Sequence, residues 1–268
     1  MTARLLAAIF VLAAGTRVGA EDATMPAPDR RPDALRDIGF DQRLGETLPL
    51  DIPLRDEEGR DVKLGDFFHG RPVVLSLVYY ECPMLCTLSL NGLVSALNVL
   101  QLEPGRDFEI VTVSFDAREG AAQARARKKA YVDRYKRAGA AAGWHFLTGD
   151  SASLERLTRA VGFRYAWDAE TRQFAHASGV MVATPGGVLS RYLYGIEYAP
   201  KDLRFALIES GAGRLGTPAD KLLLACYRYD PVHGRYGAYA IGLLRVAGLV
   251  TLLGVVGFVA VSLRRETR

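Results

Sequence analysis

The sequence predicts a mixed α/β or α+β domain, exported across a membrane and held there by one C-terminal helix. Three observations predict it. Two apolar, β-branched runs, 72–80 (PVVLSLVYY) and 108–115 (FEIVTVSF), are each succeeded by a helical pattern. Such runs make strands buried on both faces, and their alternation with helices points to a sheet with parallel and antiparallel parts. A late hairpin signal stands at Pro185-Gly186-Gly187, and both ends of the chain are strongly apolar. The composition agrees: 268 residues, 49% hydrophobic and 24% charged, with mean hydropathy +0.06. That excludes a disordered, collagenous or multi-span membrane chain. Three cysteines exclude a disulfide-dense scaffold. The net charge is +4 and the isoelectric point about 9.0, but the basic residues form no stripe with interleaved aromatics. Nucleic acid is therefore not an expected partner.

At the N-terminus, residues 1–20 carry Arg4, an apolar core over 5–14 and small residues at 18–20. This is the pattern of a secretory signal peptide, too short for a comfortable span. An uncleaved N-terminal anchor is the alternative, and either one exports the domain behind it. Residues 21–37 are a Pro-, Asp- and Arg-rich lead-in. A small hairpin is expected from 48–54 and 62–64 around the 56–59 turn. Residues 72–80 are the first buried strand, and 85–102 a helix stopped by Pro104-Gly105. The second buried strand is 108–115. Residues 118–138 form an alanine-rich helix closed by Gly139, with 125–129 as a solvated basic face. A short strand comes next at 144–147, then a helix over 151–161 capped by Ser151. Residues 178–183 and 188–194 make the late hairpin, and 201–210 a last helix.

The far end reads VAGLVTLLGVVGFVAVSL over 246–263, eighteen residues without a charge, with Arg264 and Arg265 directly behind it and then Arg268. This meets the requirement for a transmembrane helix of about 20 residues, and the arginines place the C-terminus in the cytoplasm. The expected organisation is a signal peptide over 1–20, a lead-in over 21–37 and the working domain over 38–212. A juxtamembrane segment over 213–237, a span over 238–263 and a cytoplasmic tail over 264–268 complete it. The expected location is a bacterial cytoplasmic membrane, with the domain facing the periplasm or cell exterior.

The chemistry concentrates at Cys82-Pro83-Met84-Leu85-Cys86, which comes straight after the first buried strand and opens a helix. Unpaired N–H groups and the positive dipole at a helix start stabilise thiolate. Pro83 suits the first helical position, and cysteines four apart share a helical face. The sulfurs can close a disulfide or together grip a thiophilic metal. Three intervening residues, rather than two, discourage the tight redox disulfide of common dithiol oxidoreductases. No second cysteine pair exists to complete a structural zinc site. Two thiolates and one imidazole suit Cu(I) better. A plain structural disulfide, or two buried inert cysteines, is the bland reading.

Four histidines are available. His69 is expected to face solvent, His145 to be a satisfied imidazole in its strand, and His233 to lie in a loop before the span. His176, in the loop FAHASG at 174–179 before the late hairpin, is the candidate ligand among the four, a satisfied core histidine being its other reading. Cys226, in LACYRYDP, is a free thiol, an intermolecular partner, an extra ligand or an inert residue.

Taken together, the strand-then-CPMLC element at 73–86, VTVSFDAREG ending at Gly120, WHFLTGD at 144–150 and His176 before GVMVATPGGVLSRYLYG resemble the SCO/SenC family. The resemblance spans roughly 38–212. It implies a thioredoxin-like fold with a central mixed sheet flanked by helices. It also implies copper bound by Cys82, Cys86 and His176, with His176 brought over the turn that carries the cysteines. The implied client is the dinuclear copper site of cytochrome c oxidase subunit II, or another copper protein. Two departures stand out: Ala175 replaces the Asp that family members carry before the histidine, and the expected anchor is C-terminal rather than N-terminal.

Two functions are open to such a chain. One is a copper chaperone, whose ligands must be deprotonated to bind. The other is a thiol–disulfide oxidoreductase, keeping a client's copper-ligand cysteines reduced, with Cys82 attacking and Cys86 resolving. A peroxidase of the related fold is disfavoured, because Tyr79 stands three residues before Cys82 where Thr or Ser would activate a peroxidatic thiol.

Overall fold

The computed structural model describes residues 38–211, 227–230, 235–238, 248–255, 257, 259 and 263–264. In chain order the strands are β1 (Gly39–Phe40), β2 (Pro53–Arg55), β3 (Asp61–Lys63), β4 (Val73–Val78), β5 (Glu109–Ser114), β6 (Trp144–Leu147), β7 (Phe163–Asp168), β8 (Gln173–His176), β9 (Gly179–Ala183), β10 (Leu189–Tyr194), β11 (Tyr227–Asp230) and β12 (Arg235–Ala238). The helices are α1 (Leu85–Val99), α2 (Ala121–Tyr135), α3 (Ala140–Gly143), α4 (Ser151–Ala160) and α5 (Pro200–Ser210).

The main sheet has the order β10-β9-β4-β5-β6. β4, β5 and β6 run parallel, while β9 is antiparallel to both β4 and β10. This is the thioredoxin-like arrangement, with the parallel and antiparallel parts that the alternation of elements predicts. Every residue of β4, β5 and β9 is buried, as their unbroken β-branched runs require. A polar thread crosses the three parallel strands inside the sheet. Trp144 Nε1–H donates to Thr112 Oγ1 at 2.9 Å, and Thr112 Oγ1 lies 2.9 Å from Ser76 Oγ. Each buried polar atom of this thread thereby gains a partner.

α2 packs on β6, α5 on β9 and β10, and α1 against both helices. The chain leading into α5 passes so close to α1 that it sets a backbone requirement. A Cβ added at Gly92 of α1 would lie 1.9 Å from the Ile196 carbonyl oxygen, so only glycine fits there. A second, three-stranded antiparallel sheet, β1-β7-β8, brings the chain back toward the cysteine turn. Gly162, at φ +64°, turns α4 into its middle strand.

Several sequence expectations need correction. The segment before the late hairpin is not a loop: β7 and β8 form a hairpin, and His176 is the last residue of β8. Its aromatic residues are interleaved with charged and small ones (FRYAWD, QFAH), so no long apolar run marks them. Asp150, not Ser151, caps α4, its Oδ1 accepting the Ser153 N–H at 2.8 Å. α2 starts at Ala121 because Asp116 Oδ1 takes the Arg118 N–H in a turn that precludes helix there. It ends at Lys136 in the left-handed region, φ 54°, before Gly139 is reached. The basic face of α2 is only partly solvated, since Lys128 pairs with buried Glu57. His69 is exposed, as expected. His145 is satisfied by Glu109 at 3.2 Å and packs on Phe67.

The expected signal peptide and lead-in, Cys226, His233 and most of the 213–263 region lie outside the described residues. Among the described residues no helix is long and apolar enough to cross a membrane. Residues 248–255 are helical, and their Leu249, Val250, Leu252, Leu253 and Val255 side chains are exposed.

Candidate metal centre

Cys82 and Cys86 sit where β4 gives way to α1. The helix starts at Leu85, so Pro83 is not its first residue, and Cys86 is already inside the first turn. Met84 is the N-cap and supplies no side-chain cap. The Cys82 sulfur takes that part, accepting the Cys86 N–H at 3.3 Å. An orphan donor of the helix start is thus satisfied by a thiol sulfur instead of a hydroxyl or carboxylate. The turn closes on itself further: the Cys82 N–H donates to the Tyr79 carbonyl at 3.2 Å, and the Tyr79 N–H donates to Cys86 Sγ at 3.4 Å. Both cysteines are buried free thiols.

His176 arrives from the end of β8, and its Nε2 lies 3.4 Å from Cys86 Sγ. One ligand atom from each of Cys82, Cys86 and His176 lies within 4.8 Å of the others. The ring is set by its other nitrogen: Nδ1 lies 2.8 Å from the Ala177 carbonyl oxygen. A proton on Nδ1 fills that bond and leaves the Nε2 lone pair facing the sulfurs. The position of the missing Asp, Ala175, is spent on pairing with Ala166 across the hairpin, and the backbone carbonyl orients the imidazole in its place. Tyr79, Phe115 and Phe163 surround the ring with edge-on contacts at 5.3–6.1 Å.

The two thiols differ electrostatically. Cys82 is pulled far below the ordinary thiol range by the hydrogen bond from the Cys86 thiol, against burial, with help from His176 and from the Cys86 and Met84 N–H groups. Burial pushes Cys86 far above that range, and the neighbouring Cys82 adds to it. The surroundings thus favour a single thiolate, on Cys82, over two. The largest influence on Cys82 is its partner thiol, with the N–H groups of the helix start contributing less.

One contributor is not visible in the sequence motifs. Glu119, buried in the loop between β5 and α2, accepts the Tyr80 and Glu81 N–H groups, each at 2.6 Å, and the Ser114 hydroxyl at 2.5 Å. Burial raises its pKa while these three donors pull it back.

A thioredoxin-like domain whose cysteine turn meets a histidine from a second hairpin belongs to a class of thiol proteins, here with a donor set that a soft metal could occupy. A family model described as SCO1/SenC matches residues 46–205. The chain belongs to the SCO1/SenC family. Among solved structures it is similar to a protein of Aquifex aeolicus VF5 provisionally described as an electron transfer protein. That match has 28% identity and TM-score 0.55, covering 62% of this chain and 94% of that one. A second Aquifex aeolicus VF5 structure, provisionally an electron transport protein, matches at 27% identity and TM-score 0.51, covering 62% and 98%. Arabidopsis thaliana ScoI with copper bound matches at 18% identity and TM-score 0.48, covering 62% and 97%. No curated protein matches the chain by sequence.

Proposed function

We propose that this chain is an exported, membrane-anchored protein that carries copper to, or matures, the dinuclear copper site of cytochrome c oxidase. The observation that carries this reading is the convergence of two buried sulfurs and one imidazole nitrogen within 4.8 Å. Two thiolates and an imidazole form a soft donor set, which favours Cu(I) over harder ions. Three ligands leave a position at which a client's own ligand can enter, so the cargo is exchanged rather than locked in. Family membership supports the client. The C-terminal anchor is supported by the uncharged 246–263 run with arginines behind it and by the exposed apolar side chains of the 248–255 helix.

The test is metal retention. The reduced full chain, loaded anaerobically and desalted, keeps about one copper per chain, as a single thiolate-rich site requires. Cys82→Ala and Cys86→Ala abolish tight retention and His176→Ala weakens it. Retention of full copper by both cysteine variants overturns the reading.

A second reading, thiol–disulfide oxidoreductase, is favoured by the split between the thiols. A low-pKa Cys82 and a buried, protonated Cys86 are the attacking and resolving members of a dithiol couple. The two readings are compatible in one protein, because only the reduced pair binds metal.

A further inference from the structure

Between β4 and α1 the chain makes the turn that sets Cys82 against Cys86 and His176, and the N–H groups of the two residues before Cys82 are held from outside that turn. We propose that Glu119 is a positioning residue of the metal centre: by accepting the Tyr80 and Glu81 N–H groups it fixes the chain entering Cys82, and so the place of the Cys82 sulfur. This rests on the metal-binding reading above.

Glu119 is 6% exposed, and its Oε2 takes the Tyr80 N–H while its Oε1 takes the Glu81 N–H, both at 2.6 Å. The carboxylate thus bridges two successive peptides, Tyr79–Tyr80 and Tyr80–Glu81, one residue before the peptide that joins Cys82. Its own base is rigid. The Ser114 hydroxyl donates to Oε2, the Phe115 N–H is tied to the Val78 carbonyl at 2.8 Å, and the Glu119 N–H to the Asp116 carbonyl at 3.1 Å. Glu119 therefore couples the end of β5 to the turn behind β4. Beyond the clamp, the Cys82 N–H returns to the Tyr79 carbonyl and the Cys86 N–H reaches Cys82 Sγ. The N–H groups of the two residues before Cys82 are thus held by Glu119, while Cys82 itself is held by contacts within the site. An amide cannot replace this carboxylate. Glutamine at this position would offer one acceptor oxygen, and its NH2 would face the second peptide donor, leaving that buried N–H unpaired.

The experiment compares Glu119→Gln with Glu109→Gln in the full chain. Glu109 is another buried carboxylate, at the opposite end of β5 and paired with Arg71 and His145, so its loss reports on stability alone. Cu(I) affinity is measured by competition with a chromophoric cuprous chelator, and exchange protection of the Tyr80 and Glu81 amides is measured without metal. Glu119→Gln lowers the affinity by about 10-fold or more, in the range of lost outer-shell partners, and exposes to exchange the one of the two amides left without an acceptor. Glu109→Gln changes neither. Wild-type affinity in a folded Glu119→Gln protein overturns the proposal, as does an equal loss in Glu109→Gln. If Glu119→Gln does not fold, Glu119→Asp is measured in its place; it keeps the charge but shortens the reach, and the same two results decide. If the wild-type chain itself retains no copper, the metal reading falls instead. The clamp is then judged on the rate at which oxidised glutathione closes the Cys82–Cys86 disulfide, which a displaced Cys82 changes and an inert Glu119 leaves unaltered.

Discussion

Cys82 and Cys86 occupy one turn of chain, yet their surroundings treat their protons in opposite ways. Cys82 accepts hydrogen bonds from its partner thiol and from the N–H groups at the helix start, which favour thiolate. Cys86 is buried beside Cys82, where a second negative charge is costly. The consequence for titration has a definite sign. The metal-free, reduced chain shows about one thiolate per molecule in its ultraviolet absorbance at neutral pH. The signal disappears in Cys82→Ser, and in the wild-type chain it persists well into acid. Because the folded state binds the Cys82 proton less tightly than the unfolded state does, that residue stabilises the fold above its unfolded pKa. This contribution is lost as pH falls through the lowered one. A reduced protein with no thiolate at neutral pH contradicts the assignment. The cysteines were legible because CPMLC sits directly after a buried strand. The orientation of His176 was not: Ala175 offers no partner, and a backbone carbonyl has no signature in a sequence.

Among the elements, the strands that bear the site are held by side chains as well as by their ladders. Thr112 is the centre of the thread from Trp144 to Ser76, and it is fully buried. Thr112→Val keeps the shape but removes the acceptor of the Trp144 N–H. The expected cost is about 1–3 kcal/mol, the penalty for an unsatisfied buried donor, read as a lower denaturation midpoint with an unchanged slope. A midpoint equal to wild type shows that the thread adds nothing to stability. The parallel strands, β6 and the late hairpin were all readable from apolar runs bounded by Gly and Pro. The β7–β8 hairpin was not. Tyr165, Trp167 and Phe174 pack as a ring cluster against Phe115 and each other, and Arg118 lies 4.7 Å over Trp167. Strands stabilised this way leave their rings only partly buried among charges, so the pattern of alternation is blurred.

Taken as a whole, a domain carrying metal for a membrane enzyme is most useful when tethered beside it. The 246–263 run and the arginines after it set the expected orientation, with the domain outside and the C-terminus in the cytoplasm. A reporter active only in the cytoplasm therefore works when fused after Arg268 and fails when fused near Tyr229; the reverse pattern inverts the topology. The strand–helix alternation across 38–212 could be read from secondary-structure period, whereas joining His176 to the cysteines rested on the family resemblance. Glu119 could not, since its partners are backbone N–H groups far away in sequence that only the folded sheet brings close.

Everything proposed for this protein turns on whether His176 belongs with the cysteines as a ligand or is merely their neighbour. A dithiol couple needs Cys82 and Cys86 and has no obligatory use for an imidazole from another hairpin, whereas a three-ligand copper carrier does. The deciding measurement pairs two assays on His176→Ala at wild-type protein level: copper loading of the oxidase in cells, and reduction of a disulfide substrate by the purified full chain. A ligand role for His176 gives impaired oxidase loading with disulfide reduction retained. Normal oxidase assembly in His176→Ala, alongside lost assembly in each cysteine variant, would refute that role and assign the site to thiol chemistry.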